Sequence, residues 1–101
     1  MLEEITQQLY EAVQEKKVCI LQFKNEPLPR TVHPYGVCQS AHNKILIIVW
    51  QVSGYSKQQK AGYRSLPLLS CEQVEFTDKH FQVQSNFNPA DPLYKDWVFH
   101  V

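Results

Sequence analysis

The sequence predicts a mainly β domain with one N-terminal α-helix, its strands bent into a small barrel. Three observations carry this expectation. Residues 2–16 space their apolar side chains as a helix does, and the later apolar residues fall in short β-branched and aromatic runs. Pro, Gly and Asn punctuate those runs. Strands do not alternate with helical patterns, which excludes a doubly wound parallel sheet.

With 101 residues, the chain reads as a single domain, large enough for one modest core without a disulfide or metal staple. Apolar residues at 44% and charged residues at 20% are ordinary for a folded soluble protein. Ten basic and ten acidic residues cancel, so no global field draws the chain to nucleic acid or anionic lipid; such binding needs a local cluster. The first residues are acidic and amphipathic, so no signal peptide is expected. The longest wholly apolar run, residues 45–50, is too short to cross a bilayer, and no membrane partner is expected. Cys19, Cys38 and Cys71 are odd in number and include no CxxC pair, which reads as reduced thiols acting as small hydrophobes in a cytoplasmic protein.

In residues 2–16, Leu2, Ile5, Leu9, Ala12 and Val13 form the apolar stripe, with Tyr10 beside it. Glu3 and Glu4 at one end and Lys16 and Lys17 at the other complement the helix dipole. Residues 18–24 are β-branched and aromatic and read as a strand. Two prolines in residues 25–29 break it. Extended structure resumes at Arg30. His33 precedes Pro34 and is biased away from helix, and Gly36 allows a bend or bulge.

Residues 39–43 read as a polar hairpin turn and residues 45–52 as a central strand, apolar on both faces. Residues 53–62 read as a mobile polar loop. A strand follows over residues 63–69, placed at an edge or bulged by Pro67. Residues 71–76 form the last core strand, with Cys71, Val74 and Phe76 facing inward. Residues 77–81 read as a short turn in which Phe81 packs down. Residues 93–101 carry Tyr94, Trp97 and Phe99 and are too aromatic for a solvated tail. They are expected to dock, as helix or strand, on this domain or a neighbour. The domain thus divides into a helix (1–17), a barrel (18–81) and an aromatic extension (82–101), and a small barrel of the SH3 or Sm type fits the length and spacing.

Several motifs run in the order and spacing of a known family. They are Arg30-x-Val32-x-Pro34-Tyr35-Gly36-Val37, then Leu46-Ile47-Ile48-Val49-Trp50-Gln51, then Arg64-x-Leu66-x-Leu68, then Val74-Glu75 and Phe81. Together they resemble a WYL domain across residues 5–90, most specifically over residues 30–37. The resemblance implies an SH3/Sm-like barrel that senses a ligand, in some members a nucleotide or single-stranded nucleic acid, often within transcription regulators. Where the family has Trp-Tyr-Leu, this chain has Ile45-Leu46-Ile47. Of the later Arg-x-Phe-Arg-Leu-Asp-Arg-Ile pattern only the first arginine, Arg64, is kept. One helix cannot supply a helix-turn-helix, so the resemblance is to a stand-alone, divergent member with a smaller or less charged ligand.

Arg30 and Arg64 are the candidates for anion contact, because a guanidinium fork suits phosphate or carboxylate. His33, Tyr35 and Trp50, with Tyr55 and Tyr63 nearby, are the candidates for stacking on a flat ligand; core packing is the competing role for each ring. Lys57 and Lys60 in the loop are at most a weak electrostatic guide. His33, Cys38, His42 and Cys71 show no metal-ligand spacing, and no GxGxxG, P-loop, GxSxG or HExxH occurs. No cofactor, metal or catalytic residue is expected.

The expected function is therefore a non-catalytic ligand-binding or regulatory module. Its site would be formed by Arg30, His33, Tyr35, Trp50 and Arg64, with the 53–62 loop closing over it. The alternative is a protein-interaction module, a homodimer or a regulatory protein's partner, using a barrel edge and the aromatic tail.

Overall fold

A computed structural model of the chain describes residues 2–40, 42–55, 61–92 and 94–101, without the side chain of Leu2. The helix, α1, spans Leu2–Glu15. Ile5, Leu9, Ala12 and Val13 are all buried, as their spacing requires, and Glu3 and Glu4 occupy the first turn. Lys16 then adopts a left-handed φ of 54°, the conformation that commonly ends a helix. Lys16 and Lys17 consequently lie beyond α1 and not in its last turn, which corrects the dipole pairing expected for them.

Six strands follow among the described residues: β1 (Lys17–Phe23), β2 (Arg30–Gln39), β3 (Ile45–Gly54), β4 (Gly62–Pro67), β5 (Cys71–His80) and β6 (Asp96–His100). All pairings are antiparallel, in the order β4-β3-β2-β1-β5, with β6 added on β2. One edge of β2 serves two neighbours. Arg30 to Val32 pair with β1, whereas Gly36 to Gln39 pair with β6. The handover falls at Pro34, which has no N–H to donate, and at Tyr35, which bulges between two register positions.

Side chains alternate between two cores. Ile47 and Val49 join Leu9 of α1, Leu21 and Val32 in the first core, while Ile48 joins Tyr35, Cys38 and Phe81 in the second. That alternation is why β3 needs apolar residues on both faces.

Other expectations are corrected. Residues 77–80 are not a turn but the end of β5, since Lys17 pairs with His80 and the Thr77 hydroxyl donates to the Val18 carbonyl at 2.7 Å. Phe76 does not point into the core; it is 38% exposed, with the Lys17 ammonium 5.7 Å from its ring. The β4 strand ends at Pro67, and Leu68–Ser70 form a 3-10 turn. The 93–101 tail ends as a strand, β6, docked on this domain. The loop expected over residues 53–62 shortens, because β3 runs to Gly54; residues 56–60, including Lys57 and Lys60, lie outside the described residues.

The sheet is curled but, among the described residues, β4 and β5 do not pair. Laid flat, the four gaps from β4 to β5 would separate those strands by about 19 Å. The 3-10 turn between them advances only about 2 Å per residue. Its end is tied to the residue that follows β1, Lys24, whose N–H donates to the Ser70 carbonyl at 2.8 Å. Near-equal extents of 31 × 28 × 27 Å agree with a curled sheet. No helix among the described residues is long and apolar enough to cross a membrane.

Candidate functional site

Arg30 opens β2, directly after the proline turn. Its Nε and Nη2 donate to the two Glu26 carboxylate oxygens at 3.0 and 2.9 Å, and its Nη1 donates to Gln51 Oε1 at 2.9 Å. The guanidinium also lies 5.7 Å from the Phe23 ring and 5.5 Å from the Tyr55 ring. Side-chain exposures of 11% and 18% for Arg30 and Glu26 make this a largely buried, bidentate pair. Gln51, only 1% exposed, completes the chain by donating from Nε2 to the Tyr55 carbonyl at 2.8 Å. The Arg30 charge is thus neutralised internally, and the side chain ties the proline turn to the end of β3.

The pleat separates the arginines from the rings. Arg30 pairs with Leu21 and Arg64 with Val49, so both project on the side of the first core. Arg64 is half-buried, and its Nη1 donates to the Tyr63 carbonyl at 2.9 Å. His33 pairs with Trp50, and Trp50 with Tyr63, one register position away and on the opposite face. Arg30, His33, Tyr35, Trp50 and Arg64 therefore do not share one face. This corrects the single rim expected of them, and its cause is the two-residue period of a strand.

On the second face, His33, Trp50 and Tyr63 form one row across β2, β3 and β4, all three half-buried. Trp50 and Tyr63 meet edge to face, with centroids 4.9 Å apart. Tyr35 is 0% exposed: its hydroxyl accepts from Gln84 N–H at 2.8 Å, and its ring meets Phe87 at 4.8 Å. It is a core residue, and burial raises its phenol pKa. Burial likewise raises the Tyr63 pKa, helped by the neighbouring phenols of Tyr35 and Tyr94.

The residues after β5 roof this face. Phe81 stacks on His33 with centroids 4.8 Å apart and planes 8° from parallel. Asn86 Oδ1 accepts from the Tyr63 hydroxyl at 2.8 Å. Trp97 sits opposite Cys38 and donates from its indole N–H to the Pro89 carbonyl at 2.8 Å. Nδ1 of His33 is buried without a hydrogen-bond partner among the described residues, and burial lowers the imidazole pKa. Phe81 packs down as expected and Trp97 docks with the tail, whereas Phe87 is a ring-face residue that sequence reasoning left unplaced. The approach of Trp97 left its mark at Gly36, because any side chain there would collide with Trp97 and the β6 backbone.

The three cysteines are free and buried. Burial pushes Cys19 up to about 12 and Cys71 up to about 11, and raises Cys38 as well. They are poor thiolate nucleophiles near neutral pH. No three His, Cys, Asp or Glu side chains among the described residues gather as a metal site.

Compared with models of known families, with curated proteins and with solved structures, the chain matches none.

Proposed function

We propose that this chain is a non-catalytic, WYL-like ligand-binding module on an SH3/Sm-like barrel, holding a flat and weakly charged ligand against Trp50 and Tyr63. The carrying observation is the in-register row of His33, Trp50 and Tyr63 across three adjacent strands. Rings in one row of a sheet give a base or similar flat ligand a surface on which to stack, worth about 1–3 kcal/mol per base.

The barrel reading rests on the short connection between the two margins of the sheet, and on the run Arg30-x-Val32-x-Pro34-Tyr35-Gly36-Val37. Arg30, spent on Glu26 and Gln51, argues for a ligand of low charge and against a polyanion. A nucleoside or a short single strand held by its bases fits that description. Three buried thiols suit a reducing compartment, and we read the protein as cytoplasmic.

The test is a thermal-shift panel of nucleosides, nucleoside monophosphates and short single-stranded oligonucleotides at two salt concentrations. A stacking ligand raises the melting temperature, with little dependence on salt. Trp50→Ala should weaken binding roughly 5- to 150-fold, the equivalent of one lost stacking contact. The reading fails if no compound shifts the melting temperature, or if Trp50→Ala binds as tightly as the unaltered chain.

A further inference from the structure

We propose that the His33–Phe81 stack is an acid-released clasp, holding the C-terminal aromatic segment over the ring face at neutral pH and loosening it on acidification. Phe81 is the first residue of that segment and is fixed from both sides. Its N–H donates to the Lys16 carbonyl at 2.9 Å, and its ring covers the His33 imidazole with planes 8° from parallel. Nδ1 of His33 is buried and has no hydrogen-bond partner among the described residues. A neutral imidazole tolerates this with Nδ1 as the bare nitrogen. An imidazolium carries an N–H on both nitrogens, and the buried one would be a charged donor facing no acceptor.

The sign follows from that asymmetry. Burial holds the His33 pKa below its ordinary value, so the released segment leaves an imidazole that binds a proton more readily than the docked one. Docking keeps its full strength above the ordinary imidazole range and weakens as the pH falls through and below it. The titratable groups around the clasp are Tyr35, Cys38, Tyr63 and Tyr94 on the ring face, Lys16 and Lys17 where α1 meets β1, and Asp78, Lys79 and His80 at the end of β5. Lys17 is already engaged with Glu15 at 3.8 Å. The tyrosines, with raised pKa values, stay neutral throughout the acid range. His42, His80 and His100 are all exposed.

Release would uncover the row that contains Trp50 and Tyr63, so its regulatory meaning rests on the ligand reading above. The clasp itself is measured on the ligand-free chain, and the two ideas fail separately. The experiment follows amide hydrogen exchange, corrected for intrinsic rates, from pH 7.5 to 5.0. The reporters are Gln84 N–H and Val101 N–H, both bonded to Tyr35, against β1 amides. In the unaltered chain, reporter protection should fall at least tenfold more than β1 protection. In His33→Phe, which keeps a flat ring but takes no proton, the extra fall should vanish. An equal fall in His33→Phe, or none in the unaltered chain, overturns the clasp. Should His33→Phe not fold, NMR titration of the His33 imidazole in the unaltered chain, folded and in denaturant, decides. His33 titrating in the folded chain with or above its value in denaturant overturns the proposal, and titrating below it supports it.

Discussion

Trp97 lies over Gly36 so closely that a β-carbon on Gly36 would sit 2.7 Å from Cζ3 of the indole and 2.8 Å from Cα of His100. The strand β6 reaches β2 only because that position carries no side chain. Gly36→Ala should therefore destabilise the fold by about 1–3 kcal/mol, the usual cost of overpacking a tight site. Urea unfolding measures the loss. Unchanged stability would mean that β6 is held less closely than described.

Arg30→Ala strips Glu26 of its cation and leaves the buried Oε1 of Gln51 without a donor. The expected loss is about 3 kcal/mol, as for other largely buried pairs that lose one partner. Arg30→Lys should recover only part of it, because an ammonium cannot grip both carboxylate oxygens and the amide together. Calorimetric melting of both variants checks this, and full rescue by lysine would show that charge alone matters here.

The Thr77 hydroxyl reaches the Val18 carbonyl at 2.7 Å, where β5 outlasts its expected end. Thr77→Val removes that bond while keeping the branched shape, and should cost about 1 kcal/mol. Faster hydrogen exchange at Lys79 and His80, with little change in residues 71–75, would locate the effect.

Cys19 and Cys71 titrate near 12 and 11, against an ordinary value of 9.0, because burial disfavours the thiolate. Unfolding releases those protons more easily, so stability is complete below about pH 9 and declines as the pH climbs towards 11–12. At pH 8 iodoacetamide should leave all three cysteines of the folded chain unlabelled and modify all three in denaturant. Mass spectrometry reads the outcome, and rapid native labelling of Cys19 would contradict its burial.

Much of the architecture was written in local pattern. Apolar spacing marked α1, and the doubly apolar run at residues 45–50 marked the strand that separates the two cores. The extra length of β5 was hidden because Thr77, Asp78, Lys79 and His80 have turn-like polarity, while their pairing partner Lys17 lies far back in the chain.

The site was less legible. Glu26 and Arg30 stand four residues apart, a spacing that signals contact on a helix, yet here a proline turn brings them together. Ring content announced that the tail docks, but whether Tyr35 faced water or that tail depended on long-range pairing. The parity that sends Arg30 and His33 to opposite faces follows from their odd separation, and it becomes visible only when β2 is known to run straight through both positions.

Leu68–Ser70 carry the chain from one margin of the sheet to the other. Curvature is thereby imposed by tether length and does not depend on any single packed side chain. A glycine–serine insertion at this point would slacken the tether and let the margins drift apart with every buried residue unaltered, separating what connectivity contributes to shape from what packing contributes.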